Sequence, residues 1–323
     1  MRRAAKRTRE MSPQLQLSGS AEPLKIGGCS IYAGTCSWAD PNFVKEGGFY
    51  PRGARSDPRA RLEYYATVFP TVEVDATYHA LQPAERAAQW VAWTPPQFVF
   101  TAKAFALFTW HDTNPSRLPR EIFPLVPEHL RDLTAVGAAV LPEEVVNACW
   151  DYFSAFVDAF ISGGKLGHVL FQFPKGQAYT PELFAYLDRW EPYLRKWPIA
   201  VEIRHRSWLE GRARREFLAY LREHQYAYVI PDMIQRAYLP PPDVEVTARS
   251  SAIRFHGRSA AMAERRAPTT RVYDYYYKEE ELRPWAETVK NLAAEVDRVY
   301  LLFNNHFRGQ SARNAREIVA MLE

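Results

Sequence analysis

The chain alternates between two kinds of segment, and that alternation limits its possible folds more than any other feature. Short runs rich in β-branched and aromatic residues are separated by longer stretches whose apolar residues recur at helical spacing. Eight such runs occur: "IYAGTCSW" from Ile31, "TVEVDATY" from Thr71, "FVFTAKAF" from Phe98, "HVLFQFP" from His168, "IAVEIR" from Ile199, "YAYVIPD" from Tyr226, "AIRFHGR" from Ala252 and "RVYLLFNN" from Arg298. Strand then helix, repeated about eight times, predicts an α/β fold in which a parallel sheet closes into a single (β/α)8 TIM-like barrel. An open doubly wound sheet is the alternative. It lacks a nucleotide loop, because "GGCSIYAGT" precedes or lies within the first run, whereas a dinucleotide loop follows its strand.

Helix starts are written into the sequence. Asp57-Pro58 and Thr180-Pro181-Glu182 place a capping residue before a proline, and Pro142-Glu143-Glu144 and the acids after Lys278 load first turns with negative charge. Helical stripes follow over residues 83–93, 142–161, 181–194, 208–224, 280–296 and 311–322. Two connections are long. One covers residues 109–142; the other, "PDMIQRAYLPPPDVEVTARS", has three consecutive prolines and no stripe, predicting that one outer helix is missing between the sixth and seventh strands. Both are placed to cover an opening. No linker divides the chain, so residues 25–323 are expected to form one barrel domain behind a disordered basic extension, residues 1–24.

That extension carries the charge imbalance. Arg2, Arg3, Lys6, Arg7 and Arg9 against Glu10 account for the whole net charge of +4, leaving a near-neutral body. Such a body argues against duplex nucleic acid as a partner, which calls for a basic face. The opening residues lack the apolar run of a secretory signal and no stretch is apolar enough to span a bilayer, so no membrane association is expected and the cytoplasm is the expected compartment. Cys29, Cys36 and Cys149 are too few for a disulfide framework and have no metal-ligand spacing. Nothing in the sequence specifies an oligomeric state.

In a closed barrel, alternate strand residues face the helices or the axis. If Val201 and Ile203 face outward, Glu202 and Arg204 lie inside. The same parity puts Glu73 and Asp75 inside against Val72 and Val74, and Arg254 and His256 inside against Ile253 and Phe255. Thr101 with Lys103, Gln172 and Asn304 are further inward candidates. Barrel interiors are usually apolar, and these polar residues cluster at the carboxyl ends of their strands, where barrel enzymes place their sites. Taken singly, Glu202 with Arg204, or Glu73 with Arg254, also fits a structural ion pair.

Several chemistries fit this set. Arg254, His256 and Arg258, then Asn304, Asn305 and Arg308 before a helix near Ser311, suit an anion such as a phosphate on the last strand ends and a helix N-terminus. Glu202, desolvated, is the candidate general acid or base, with His256 as its partner and Lys103 to polarise a carbonyl or bind an anion. A divalent metal on Glu73, Asp75, Glu202 and His256 is the rival arrangement, disfavoured by Lys103, Arg204 and Arg254 in the same interior. Tyr273, Tyr275, Tyr276 and Tyr277 with Trp38, Trp110 and Trp208 form either a stacking wall or the packing of a loop on the rim.

The motifs "GTCSW", "FPTVEVDATY", "VFTAKAF", "LFQFPKG", "AVEIRHRSW", "RFHGR" and "FNNHFRGQSARNA" resemble, in order, those of the domain of unknown function 72 family, from Ile31 to the end. The resemblance implies a (β/α)8 barrel with a polar pocket at the strand ends and no particular reaction. The matching positions are Thr35, Trp38, Glu73, Thr77, Lys103, His111, Gln172, Glu202, Arg204, His205, Trp208, Arg254, His256, Gly257, Arg258, Asn304 and Asn305. Where relatives commonly end the second-strand motif in tyrosine and arginine, this chain has His79 and Ala80. The expected protein is therefore an enzyme without a cofactor that performs acid–base chemistry, of hydrolase or lyase type, on a small anionic molecule. Glu202, His256 and Lys103 would be catalytic, and Glu73, Thr77, Gln172, Arg204, Arg254, Arg258, Asn304, Asn305, Trp38, Tyr273 and Arg308 would bind substrate. A metal-dependent nuclease or phosphoesterase and a non-catalytic binding or scaffold protein are the alternatives.

Overall fold

The computed structural model describes residues 21–264 and 267–323. Strand β1 (Leu24–Ile26) forms an antiparallel hairpin with β2 (Cys29–Thr35), and β3 (Thr71–Val74), β4 (Val99–Lys103), β5 (Leu166–Gln172), β6 (Ile199–Glu202), β7 (Ala227–Asp232), β8 (Ser250–Phe255) and β9 (Arg298–Phe303) follow. Strands β2 to β9 pair in sequence order, all parallel, and β9 pairs back onto β2, closing the eight-stranded barrel. All eight expected runs are strands. The hairpin strand is an addition: Leu24 pairs with Ile31 and the Ala21 N–H bonds the Ala66 carbonyl, so the fold begins before residue 25. Residues 1–20 of the basic extension lie outside the described residues.

The longer helices pack outside. Pro58–Val68 starts as expected, with the Asp57 carboxylate accepting from the backbone of Arg59 and Ala60. Ala84–Trp93, Glu143–Ser162, Glu182–Arg189, Gly211–Glu223, Glu279–Ala293 and Gln310–Leu322 follow the remaining stripes. Thr180 does not cap its helix, since Pro181 takes that position and makes no side-chain cap. Between Asp232 and Ser250 there is no helix, as the proline run requires. None of the described helices is long and apolar enough to cross a membrane.

Strand parity follows the alternation. Val72, Val74, Val201, Ile203, Ile253 and Phe255 join the core between barrel and helices. Tyr32, Leu170, Ala200, Val229, Ala252, Tyr300 and Leu302 form a separate apolar cluster on the axis. On their strands Glu202 and Arg254 follow Ala200 and Ala252 of this cluster by one inward position, and buried His168 packs edge-on against Tyr300 within it. One local break occurs where β4 meets β5: the register shifts between Phe100 and Ala102, a bulge that brings Gly167 against inward-facing Thr101 and Tyr300.

Strands β2 and β3 pair over a short register, Gly34 opposite Thr71 and Thr35 opposite Val72. A Cβ at Gly34 would overlap the Thr71 carbonyl oxygen, a backbone atom that cannot swing aside. Gly34→Ala should therefore lower the unfolding free energy by about 1–3 kcal/mol in a denaturant titration. Gly53→Ala, where a Cβ meets nothing within 4 Å, should change it by no more than about 0.5 kcal/mol.

Candidate active site

Three strand ends place Glu73, Glu202 and Arg254 at the centre of the barrel. Arg254 donates from Nη2 to Glu73 Oε1 and from Nη1 to Glu202 Oε2, each at 2.6 Å. Its Nη1 also lies 3.1 Å from Gln172 Oε1. The other Glu202 oxygen accepts from Arg204 Nε and lies 3.1 Å from His256 Nε2. Arg204 Nη2 reaches Gln172 Oε1 at 2.9 Å, and Asn304 Nδ2 is 3.2 Å from His256 Nδ1. The expected interior set therefore meets in one network, and each buried charge has an opposite charge in contact.

The electrostatics revise two of the expected roles. Burial pushes the Glu202 carboxyl up, but Arg204 and Arg254, with His256 adding to them, hold it well below the usual carboxylate range. Glu202 is thus a fixed anion, the two arginines outweighing its desolvation. Burial, then Arg204, pushes the His256 imidazole down to about 3, although Glu202 pulls the other way. The ring is neutral at neutral pH; Asn304 Nδ2 lies 3.2 Å from its Nδ1, and its Nε2 lies 2.9 Å from Arg204 Nη2 and 3.1 Å from Glu202 Oε1. Glu202 is 0% exposed and His256 1%, so these two side chains form a floor under the opening. Burial pushes the Glu73 carboxyl up, opposed by Arg254 and Lys103, and its Oε2 has no hydrogen-bond partner among the described residues.

Above the floor lies a rim of side chains. Lys103 Nζ is 3.0 Å from Asp75 Oδ1 and 4.2 Å from the centre of the Tyr78 ring. The Thr77 hydroxyl contacts the Val74 and Lys103 carbonyls at 2.8 and 2.6 Å, so this expected ligand residue instead ties the short helix Ala76–His79 to β4. β3 ends at Val74 and Asp75 is the N-cap of that helix, with its carboxylate on Lys103 and acting on Glu73. Burial pushes its carboxyl up, but Lys103 and His79 hold it well below the usual range.

Lys175, half-buried in the loop after β5, has Nζ 3.4 Å from the Met262 carbonyl. Burial and Arg204 push its amine down to about 8, with Glu202 pulling the other way. His111 is pushed down to about 4 by burial and by Lys103 and Arg204. Arg204 thus acts on both Lys175 and His111, and Lys103 acts on His111, so these side chains lie near one another at the strand ends. Sequence reasoning did not single out Lys175, although "FPKG" directly follows a strand, the position from which barrel sites are built.

Other expected ligand residues serve the scaffold. Arg258 grips Asp232 at 2.6 and 2.8 Å and reaches Glu281 at 3.1 Å. Asp232 also accepts from Trp285, and the Tyr277 hydroxyl accepts from the Gly257 N–H at 2.9 Å, so this strut fixes the chain that follows His256. Asn305 is buried and bonds the Tyr275 carbonyl and Asn314. Trp38 packs edge-on against Trp90 in the core. Tyr273 lies against His306, with ring centres 4.5 Å apart. Tyr275 and Tyr276 bond Glu281 and Glu317, which is loop packing on the rim.

At the last helix, where an anion seat is expected, the first turn packs against the chain near Gly47. Gly309, at φ +69, packs on the Gly47 backbone, and a Cβ there would come within 2.8 Å of the Gly47 carbonyl oxygen. Arg308 is exposed, with Nε 3.9 Å from Glu46. For the metal alternative, no three His, Cys, Asp or Glu side chains converge among the described residues. The Arg254 guanidinium lies between Glu73 and Glu202, where an ion bridging the two carboxylates would sit.

Comparison with known proteins agrees with the motif resemblance. The chain is 27% identical over 299 residues to the UPF0759 protein YunF of Bacillus subtilis (strain 168), covering 91% of this chain and 95% of that one. A DUF72 family protein structure from Enterococcus faecalis V583 aligns with a TM-score of 0.71 at 26% identity, covering 90% of this chain and 95% of that chain. One from Thermotoga maritima MSB8 aligns with a TM-score of 0.68 at 27% identity, covering 90% and 98%. The model of the family described as "Protein of unknown function DUF72" matches residues 32–323, and the chain belongs to that family.

Proposed function

We propose that this protein is an enzyme that binds a small anionic molecule at the carboxyl ends of the strands and transfers a proton to or from it in a hydrolase- or lyase-type step. Arg204 carries this reading. Its Nε is held by Glu202 and its Nη2 by Gln172, yet 10% of its side chain remains exposed, beside Lys103 and Lys175. A guanidinium fixed this way, its Nη2 also against His256, presents Nη1 to an anion without further reorganisation. Lys103, Lys175, Arg204 and Arg254 outnumber the carboxylates Glu73, Asp75 and Glu202, and burial pushes Glu73 toward its neutral form. An anionic ligand completes this charge balance.

Proton transfer falls to Lys175. Its amine titrates near neutral pH and is half-buried at the opening, whereas Glu202 and His256 lie beneath the surface with their polar atoms engaged. Glu202 and His256 are positioning residues, and Lys103 and Asn304 contact the substrate. Calorimetric titration with inorganic sulfate, whose charge is constant across this range, tests the reading. Lys103→Met and Lys175→Met should each weaken sulfate binding about tenfold, or about 1.4 kcal/mol. The Lys175 ammonium loses its proton as pH rises through about 8, so wild-type affinity should fall there and the fall should vanish in Lys175→Met. Equal sulfate affinity in all three proteins would remove the anion site.

A further inference from the structure

Beside the Lys103 side chain lies a cavity with a volume of about 320 Å³, lined in part by Tyr78, His79, Asp112, Asn114, Arg117 and Thr134. The Tyr78 ring is the wall it shares with the anion site. Lys103 Nζ sits over that ring, and His79 and His111 meet it edge-on, with ring centres 5.0 and 5.2 Å away. The cavity is built by the long connection after β4. Thr113 and Val136 exchange backbone hydrogen bonds at 3.0 and 2.8 Å, and the Asn114 side chain accepts from the Ser116 N–H at 2.9 Å. These bonds hold Asp112, Asn114 and Arg117 in a fixed frame.

The lining selects a type of ligand. Asp112 only accepts hydrogen bonds, Arg117 only donates, and Asn114, Thr134 and the Tyr78 hydroxyl do both. An apolar occupant would gain no hydrogen bond from these groups, and a second anion would face the Asp112 carboxylate. Vicinal hydroxyls, each donating and accepting, match the lining, and the Tyr78 ring gives a face against which C–H groups pack. We infer that this cavity binds the polyhydroxylated part of a substrate whose anionic group sits on Lys103 and Arg204, which makes the substrate a sugar phosphate or sugar acid. This inference rests on the anion-binding reading above.

Calorimetry on the full chain separates the two ideas, using inorganic phosphate, glucose and a panel of glucose 6-phosphate, ribose 5-phosphate and glucuronate. The best panel member should bind at least tenfold more tightly than phosphate. Asp112→Ala and Arg117→Ala, both at exposed positions on the connection, should abolish that advantage and leave phosphate affinity unchanged. If phosphate binds but no panel member binds more tightly, or the advantage survives both substitutions, the sugar site is overturned and the anion site stands. If glucose binds in an Asp112-dependent way without any phosphate binding, the sugar site stands and the anion reading fails. If no probe binds, both fail.

Discussion

A guanidinium on the axis of a barrel is stable only if its charge is neutralised there. Arg254 meets this condition with two carboxylates, Glu73 on one side and Glu202 on the other. Removing ions from water costs several kcal/mol each, and close opposite charges with satisfied hydrogen bonds offset that cost. The geometry of β3, β6 and β8 is thereby coupled: an error in any of the three registers would strand a buried charge. Arg204 depends on the same network, since the Glu202 oxygen facing away from Arg254 aligns it. The charged floor specifies the barrel's upper layer and also fixes the orientation of the cation most suited to hold a ligand.

Outside the barrel, a second network supports this floor. Asp232, at the end of β7, holds Arg258 and Trp285, while Tyr277 holds the Gly257 backbone. These contacts fix the chain next to His256 from the outside, and Glu202 and Asn304 restrain its ring from the inside. No helix follows β7, and Arg258 and Trp285 pair with Asp232 at that end of the barrel.

Much of this was legible in the sequence because side-chain direction in a strand has a period of two. Once Val201 and Ile203 are assigned outward, Glu202 and Arg204 have only the interior left, and the same logic located Glu73, Lys103, Gln172, Arg254 and His256. Parity specifies which face a residue occupies but neither its depth nor its charge state. Parity therefore places Glu202 and His256 inside without showing that Arg204 and Arg254 hold the first as an anion and that burial holds the second neutral. Parity also stops where the strand stops: Asp75 lies one residue beyond β3 and belongs to a helix turn. Loop residues have no such period, so Lys175 was overlooked, while Arg308 and Asn305 were drawn into the site by proximity in sequence alone. The hairpin strand Leu24–Ile26 had a usable signal in Gly27-Gly28, a pair suited to a two-residue turn, which had been considered only as a nucleotide loop.

The central claim is that Glu202 is the counter-charge on which both buried arginines depend. Denaturant unfolding of Glu202→Gln beside wild type at neutral pH tests it most directly, because the substitution removes the charge and keeps the shape. The account predicts a loss of about 3 kcal/mol or more, the cost of leaving buried guanidinium groups underpaired. Unchanged or increased stability would contradict it, placing the stabilisation of Arg204 and Arg254 elsewhere and leaving Glu202 free to act on a ligand.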